Sequence, residues 1–261
     1  MTAPDPNGRV TPVNQLADHG TISLNHAVPS RALAIGAHPD DIEFGCGATL
    51  AKWAASGTVL HHLVLTDGSK GSWDPGRDIA TLVTERQEEQ RRAAAAVGGG
   101  PVTFLGYTDG ELCNGIEAQR AVAHCIRTVR PDVVLSHDPW RRYRLHPDHR
   151  HAGFIVTDAI VAARDPHFFA DLGLSPHRPD ALLLWEADEP NHVEDVDGFL
   201  DRKIEALLAH RSQLESTMGI SDQADAPAAA AFAERVRLQS EAHGALAARA
   251  HGEAFHLMNE L

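Results

Sequence analysis

Short apolar runs alternate with longer helical patterns along the first half of the chain, and this alternation limits the fold more than any other feature. The apolar runs predict strands at 31–38, 58–68, 102–107 and 132–139. The segments between them predict helices at 41–57, 79–98 and 116–131. Because such an alternation is typical of βαβ units, we predict an α/β fold with a mostly parallel sheet.

The second half continues less regularly. A helix is predicted from residue 146, followed by a strand at 181–187 and by helical stretches at 197–218 and 228–251. The beginning of the chain is rich in Pro, Asn, Asp and Gly, which favours an extended leader over residues 1–30. We therefore expect one α/β domain at 31–261, with a helical C-terminal part at about 197–252.

Composition excludes several classes of function. With 261 residues and 43% hydrophobic content, the chain can bury one substantial core. Its net charge of −13 disfavours binding to nucleic acid or anionic membrane, both of which call for basic patches. We expect no membrane span, because no sufficiently long apolar stretch is present, and the N-terminus does not resemble a signal peptide.

The cysteines indicate the compartment. Cys46, Cys113 and Cys125 are far apart and include no CxxC pair. This pattern disfavours a disulfide framework or a cysteine-rich zinc site, and we expect a reducing, cytoplasmic location.

Polar residues follow each predicted strand. They are the residues from His38 to Glu43, those from Thr66 to Gly68, Asp109, and His137 with Asp138. Because open α/β sheets bind ligands at the carboxyl ends of their strands, we expect these side chains to converge on one site.

Two His-Pro-Asp motifs stand at such positions, at residues 38–40 and 146–148. His38 and Asp41 are three residues apart at a strand-to-helix turn, and a catalytic zinc ion takes three such ligands. One histidine of the pair His146 and His149 could complete the set, and the spacing does not decide which. The other histidine could then serve as an oxyanion donor or general acid. Asp40, next to Asp41, is the candidate general base.

Five segments together resemble the PIG-L/LmbE-like zinc-dependent de-N-acetylases. They are "AHPDDIEFGCGATLA", "LTDGSKG", "ERQEEQRRAA", "FLGYTDGEL" and "HPDHR". They occur in the expected order over residues 31–155, and AHPDD and HPDH are the most specific. The resemblance implies a Rossmann-like three-layer α/β/α sandwich. It also implies hydrolysis of an N-acetyl group from an N-acetylglucosamine-type sugar conjugate, a small-molecule substrate.

The resemblance also assigns roles at the metal. It implies that His38, Asp41 and His149 bind zinc, with ferrous iron as an alternative metal. Asp40 would be the general base and His146 the imidazolium that stabilises the oxyanion. Asp148 would be the residue that orients this histidine.

Several other residues near these motifs have more than one interpretation. The resemblance implies that Arg86 contacts substrate, whereas helical spacing allows an exposed ion pair with Glu89. Asp109 could bind sugar hydroxyls or cap its turn. Glu43 is expected to orient the turn before the first helix, and His137 to be a buried core histidine or to line the site. The oligomeric state is left open, with a homo-oligomer compatible with the sequence.

The segment "DPWRRYRLHPDH" departs from the family pattern. Arg144 stands where some sugar deacetylases have a tyrosine, and Tyr143 comes one residue earlier. Arg141, Arg142 or Arg144 could meet an acidic or aromatic part of the substrate, or could balance the acidic surface.

Three rival functions remain. A nucleotide-binding protein would need G-x-G-x-x-G after the first strand, where this chain has "GAHPDD", and the acidic residues there would repel a pyrophosphate. A non-catalytic metal-binding protein is disfavoured because ligands, base and acid are all present. An amidase that cleaves a mycothiol-type thiol conjugate is the main alternative.

Overall fold

The computed structural model describes residues 22–221 and 224–261 of the chain. The strands are β1 (Ser23–Leu24), β2 (Arg31–Gly36), β3 (Val59–Thr66), β4 (Val102–Tyr107), β5 (Val133–His137), β6 (Ala181–Trp185), β7 (His192–Asp195) and β8 (Gly252–Met258). The helices are α1 (Asp41–Ala55), α2 (Ile79–Ala96), α3 (Ile116–Val129), α4 (Pro147–Arg164), α5 (Leu200–Leu208) and α6 (Ala226–Ala245). Short 3₁₀ turns at Ala170–Leu172 and Arg211–Gln213 and a π-helical turn at Leu214–Met218 complete the described elements.

These strands form one sheet with the order β1-β7-β8-β6-β5-β2-β3-β4. The pairs from β6 through β5, β2 and β3 to β4 are all parallel. Strand β8 is antiparallel to both of its neighbours, β6 and β7. The predicted mostly parallel α/β sheet is therefore confirmed.

The sheet is covered by helices on both faces, as expected for a three-layer sandwich. Along β2, Leu33 and Ile35 pack into one core with residues of α3 and α4, whereas Ala32 and Ala34 pack into another with residues of α1. Successive side chains of a strand point to opposite faces, so a strand covered on both faces must be apolar throughout. This explains why β2 reads as an unbroken apolar run.

The C-terminal part differs from the prediction. The helix expected at 197–218 ends at Leu208 and continues as the 3₁₀ and π-helical turns. Helix α6 begins after Asp225, whose side chain accepts a hydrogen bond from the Ala228 amide at 2.9 Å. Strand β8 was not predicted at all, because a short terminal run has no periodicity of its own and pairs only in the folded chain.

A small apolar cluster joins the elements of this C-terminal part. Ile204, Leu207, Met218, Phe232 and Val236 are among its buried members. This cluster anchors α5, the π-helical turn and α6 to one another.

The predicted leader falls mostly on residues 1–21, which lie outside the described residues. In its described part, Ser23–Leu24 forms β1 and pairs with β7. The division into a leader and one domain stays a prediction. Within residues 22–221 and 224–261, none of the helices has both the length and the apolar character needed to cross a bilayer.

Candidate active site

A cleft of about 650 Å³ opens at the carboxyl ends of the parallel strands. Seven predicted site residues line it, namely His38, Asp40, Asp41, Arg86, Asp109, His146 and His149. The eighth, Asp148, is fully buried and contacts His38. The convergence expected from the strand ends is therefore present for these residues and for His137, which also lines the cleft. It does not include Thr66, Asp67, Gly68 or Asp138, which are not among the lining residues.

The first His-Pro-Asp turn connects β2 directly to α1. Thr66, at the end of β3, holds this turn, because both its amide and its hydroxyl donate to the carbonyl of Ala37 at 2.8 Å. The carboxylate of Asp41 closes the turn by accepting from the amide of His38 at 2.7 Å. Asp40 adopts φ 108° and ψ −27°, which is a strained conformation for a residue with a side chain.

Three side chains bring metal-ligating atoms together. The Nδ1 of His38 lies 3.2 Å from Oδ2 of Asp41 and 3.2 Å from Nε2 of His149. The same nitrogen of His149 lies 3.2 Å from Oδ1 of Asp41. Tetrahedral ligands at zinc bond lengths of about 2.1 Å would be about 3.4 Å apart. The two ring nitrogens and the Asp41 carboxylate, which faces one nitrogen with each of its oxygens, therefore have a spacing and a chemistry that fit a metal such as zinc.

Other combinations of histidine and aspartate side chains in the cleft could also hold a metal. The described residues include three such groups: His38 with His146 and His149, Asp41 with His137 and His149, and His38 with Asp109 and Asp148. Since His149 and His38 each occur in two of them, the groups overlap around the predicted triad.

The pKa values of Asp41 and His149 are both lowered, for different reasons. Burial opposes ionisation of Asp41, yet the charges of His149 and His137 hold the pKa of this carboxyl well below its usual value. Burial lowers the pKa of His149, although Asp41 opposes this effect. An ionised carboxylate and a neutral imidazole are the forms that bind a metal.

His38 is held by two carboxylates on the side away from the triad. Its Nε2 lies 3.1 Å from Oδ2 of Asp148 and 3.2 Å from Oδ1 of Asp109. A proton on Nε2 leaves Nδ1 free to bind a metal, as outer carboxylates commonly ensure for metal-binding histidines. Burial alone would lower the pKa of His38, but the hydrogen bonds with Asp109 and Asp148 raise it well above its usual value. A metal must therefore displace a proton from this ring.

The two outer carboxylates are themselves fixed by backbone amides. Asp148 accepts from the amide of Gly110 at 2.7 Å, and Asp109 accepts from the amide of Lys70 at 3.0 Å. Burial opposes ionisation of Asp109, but the hydrogen bond with His38 lowers its pKa to about 2. The predicted roles of Asp148 as orienter of His146 and of Asp109 as a sugar ligand stay predictions, since both carboxylates contact His38 here.

Asp40 lies beside the triad without belonging to it. Burial raises the pKa of its carboxyl to about 6, although the charge of Arg86 opposes this. The guanidinium of Arg86 is 3.6 Å from the Asp40 carboxylate and donates to the carbonyls of Pro39 at 2.6 Å and Gly68 at 2.9 Å. Arg86 is buried, so the alternative of an exposed pair with Glu89 is wrong. Its predicted contact with substrate stays a prediction.

The second His-Pro-Asp turn starts α4, with Pro147 in the first helical turn, where a missing N–H costs nothing. The exposed ring of His146 stacks on that of His149, with centroids 4.6 Å apart. Partial burial, together with the charges of His38 and His149, lowers the pKa of His146. The imidazolium form predicted for the reaction is thus disfavoured in the free protein.

His137 lies closer to the triad than its interpretation as a core residue suggests. It is buried, its Nδ1 accepts from the indole of Trp185 at 3.1 Å, and its Nε2 is 3.3 Å from Oδ2 of Asp41. Its ring also stacks on His149, with centroids 4.4 Å apart. In the sequence, the position of His137 at the end of a predicted strand indicated that it could line the site.

Glu186 is a cleft residue that sequence reasoning missed. It follows β6, and its position at a strand end could have indicated it. Its carboxylate forms ion pairs with Arg144 and, at 3.2 Å, with Arg141. Burial opposes ionisation of Glu186, but His137 and Arg144 lower its pKa to about 2. Two of the arginines proposed to meet an acidic substrate are therefore neutralised within the protein.

Comparison with known proteins gives consistent matches. The family model of the GlcNAc-PI de-N-acetylases (PIG-L) matches residues 33–160. The diacetylchitobiose deacetylase of Thermococcus kodakarensis is 38% identical over 186 residues, which cover 70% of this chain and 70% of that protein. The 1D-myo-inositol 2-acetamido-2-deoxy-alpha-D-glucopyranoside deacetylase of Streptomyces scabiei is 34% identical over 172 residues, covering 56% of this chain and 53% of that protein.

A solved structure agrees with this match. The N,N'-diacetylchitobiose deacetylase from Pyrococcus horikoshii, complexed with an inhibitor, superposes with a TM-score of 0.79 at 27% identity. The superposition covers 88% of this chain and 84% of that one. The similarity thus extends beyond the segment matched by the family model into the C-terminal part.

Proposed function

The chain belongs to the PIG-L family of de-N-acetylases, and we propose that it is a metal-dependent hydrolase that removes the N-acetyl group from an N-acetylglucosamine-type sugar conjugate. The observation that carries this proposal is the triad of His38, Asp41 and His149, in which the two ring nitrogens are 3.2 Å apart and each lies 3.2 Å from one oxygen of Asp41. A carboxylate outside the triad, Asp40, lines the same cleft.

The proposed metal is zinc, with ferrous iron as an alternative. Two imidazole nitrogens and one carboxylate oxygen form a donor set that both metals accept. When bound, such an ion polarises an amide carbonyl and lowers the pKa of a water molecule toward neutrality.

Asp40 is the proposed general base. Its carboxylate takes a proton from the attacking water and passes it to the amide nitrogen as the C–N bond breaks, so that acetate and a free amine leave. Arg86 keeps this carboxylate in place through its ion pair and is proposed to reach the substrate from the wall of the cleft.

His146 is proposed to stabilise the tetrahedral intermediate. Its ring lines the cleft and lies beside both His38 and His149, where it can donate a hydrogen bond to the oxyanion. A donor aimed at developing charge stabilises the transition state more than the substrate, which is the requirement for catalysis. Asp148 and Asp109 support this arrangement by holding His38.

The proposed substrate is a small sugar conjugate. The relatives named above act on diacetylchitobiose and on a GlcNAc-inositol conjugate, and a cleft of about 650 Å³ suits a ligand larger than one sugar ring. The net charge of −13 argues against nucleic acid as a partner. A cytoplasmic location is proposed on the cysteine pattern, and homo-oligomerisation stays a prediction.

A single assay tests the proposal. Purified protein is analysed for metal, stripped with a chelator, reloaded with zinc or ferrous iron, and offered N-acetylated mono- and disaccharide conjugates. We expect acetate and a free amine in equal amounts, lost on stripping and restored by metal. Hydrolysis of a mycothiol-type thiol conjugate without acetate release would instead support the amidase alternative.

A further inference from the structure

The peptide unit between Pro39 and Asp40 is held by a hydrogen bond on each edge. Its carbonyl, on Pro39, accepts a hydrogen bond from Nη2 of Arg86 at 2.6 Å. Its N–H, on Asp40, donates to Oε1 of Gln90 at 3.0 Å. Arg86 and Gln90 are four residues apart on α2, so one face of this helix presents both groups.

The orientation of this peptide plane decides where the side chain of Asp40 points. The angle φ of Asp40 is the rotation about the bond from its N to its Cα, and its value of 108° is one that residues other than glycine rarely adopt. The next peptide unit is held as well, because the carbonyl of Asp40 accepts from the amide of Phe44 at 3.1 Å. With both neighbouring planes fixed, the direction in which the Asp40 side chain leaves the backbone is determined.

The amide of Gln90 is itself oriented by two further side chains. Its Nε2 donates to Oε1 of Glu43 at 2.7 Å. The other oxygen of Glu43 lies 3.2 Å from Nε2 of His210. Gln90, Glu43 and His210 are all fully buried. Because the NH₂ group of Gln90 points to Glu43, the oxygen of the same amide is left to accept from the amide of Asp40.

We propose that Gln90 is a positioning residue for Asp40. Together with Arg86 it holds the Pro39–Asp40 peptide plane, so that Asp40 turns its carboxylate into the cleft while Asp41 faces the metal ligands. Glu43 and His210 set the orientation of the Gln90 amide. This inference rests on the proposed function, in which Asp40 acts as the base.

Gln90→Met tests whether Gln90 holds the Pro39–Asp40 peptide plane, because methionine has a similar length and offers no strong hydrogen-bond acceptor. We expect kcat for acetate release to fall on the order of 10²-fold, the effect of a misplaced catalytic group, with KM and metal content unchanged. Gln87→Met is the matched control, since Gln87 lies on the same helix and does not line the cleft. A Gln90→Met rate within about threefold of the wild type, or loss of metal, would overturn the inference.

An exchange of charge tests the orientation of the amide and does not depend on Gln90→Met folding well. Gln90→Glu alone sets a second carboxylate against Glu43, so we expect kcat to fall. In Gln90→Glu/Glu43→Gln, the new carboxylate at position 90 can accept from both the Asp40 amide and the new side-chain amide at position 43. The oxygen of that side chain then accepts from His210. We expect most of the lost rate to return, and a double variant as slow as Gln90→Glu would contradict the inference.

Asp40→Asn separates this inference from the proposed function. If Asp40→Asn releases acetate at the wild-type rate, Asp40 is not the base and the proposed function is wrong in that role. If Asp40→Asn is slow but Gln90→Met and Gln90→Glu are both as fast as the wild type, the proposed function stands and only the positioning role of Gln90 fails.

Discussion

The two His-Pro-Asp turns share three residues and differ in almost everything else. In the first, from His38 to Asp41, the turn is buried and Asp40 has a positive φ of 108°. In the second, from His146 to His149, the first histidine is exposed and extended, with φ −67° and ψ 116°. The third residue of this turn, Asp148, lies within the first turn of α4.

The aspartate at the third position therefore has a different environment in each turn. Asp40 faces the cleft beside the metal ligands, whereas Asp148 is fully buried behind His38 and contacts its Nε2 at 3.1 Å. The fourth residue of each turn, Asp41 or His149, is a proposed ligand. Backbone conformation, and not the tripeptide itself, decides which of the two aspartates can act on a substrate.

The largest expected effect comes from the fourth residue of either turn. Asp41→Ala and His149→Ala should each lose the metal, because a catalytic zinc site has only three protein ligands to begin with. Activity should then fall to background, and metal analysis after dialysis checks this. His151→Ala, on the same helix as His149 but outside the cleft lining, should keep its metal. A metal-replete, active Asp41→Ala would show that Asp41 is not a metal ligand.

Substitution of Asp40, the third residue of the first turn, should have the next largest effect on activity. Asp40→Asn keeps the shape of the side chain but cannot accept a proton, so kcat should fall roughly 10²- to 10⁴-fold, the usual contribution of a general base. Metal content should be unchanged, which steady-state kinetics and metal analysis of one preparation can establish. A variant that lost metal instead would place Asp40 among the ligands.

Substitution of His146, the first residue of the second turn, should have a smaller effect on activity. His146→Ala removes one oxyanion donor, and such a loss lowers kcat roughly 10²- to 10³-fold. KM and metal content should change little, because the proposed triad does not include this ring. Loss of metal in His146→Ala would favour the ligand group of His38, His146 and His149 over the proposed one.

The smallest effect should come from the third residue of the second turn. Asp148→Asn weakens the hold on His38, and outer-shell changes of this kind cost about 10- to 100-fold in metal affinity or activity. Because Asp109 also contacts the same nitrogen at 3.2 Å, Asp148→Asn should be milder than the double variant with Asp109→Asn. Metal titration of the stripped proteins measures both. An Asp148→Asn as severe as Asp40→Asn would remove the distinction between the two turns.

Local patterns in the sequence were sufficient for much of the fold and for most of the side chains predicted to line the cleft. The apolar runs of β2 to β6 and the helical periods between them are properties of neighbouring residues, which is why the central parallel sheet was predictable. The positions of His38, Asp41 and His149 followed from two short motifs after two strands. Their proposed role as a zinc triad follows from the resemblance to a family and not from their spacing.

Only the tertiary structure decided what those residues touch. Asp148 meets His38 across 110 residues of sequence, and His210 meets Glu43 across 167. No periodicity records such pairs, because they depend on how helices pack against the sheet. The positive φ of Asp40, the place of Glu186 beside Arg144 and the antiparallel pairing of β8 have the same origin. The sequence by itself determined which chemical groups arrive at the sheet edge, and long-range packing determined which way each one points.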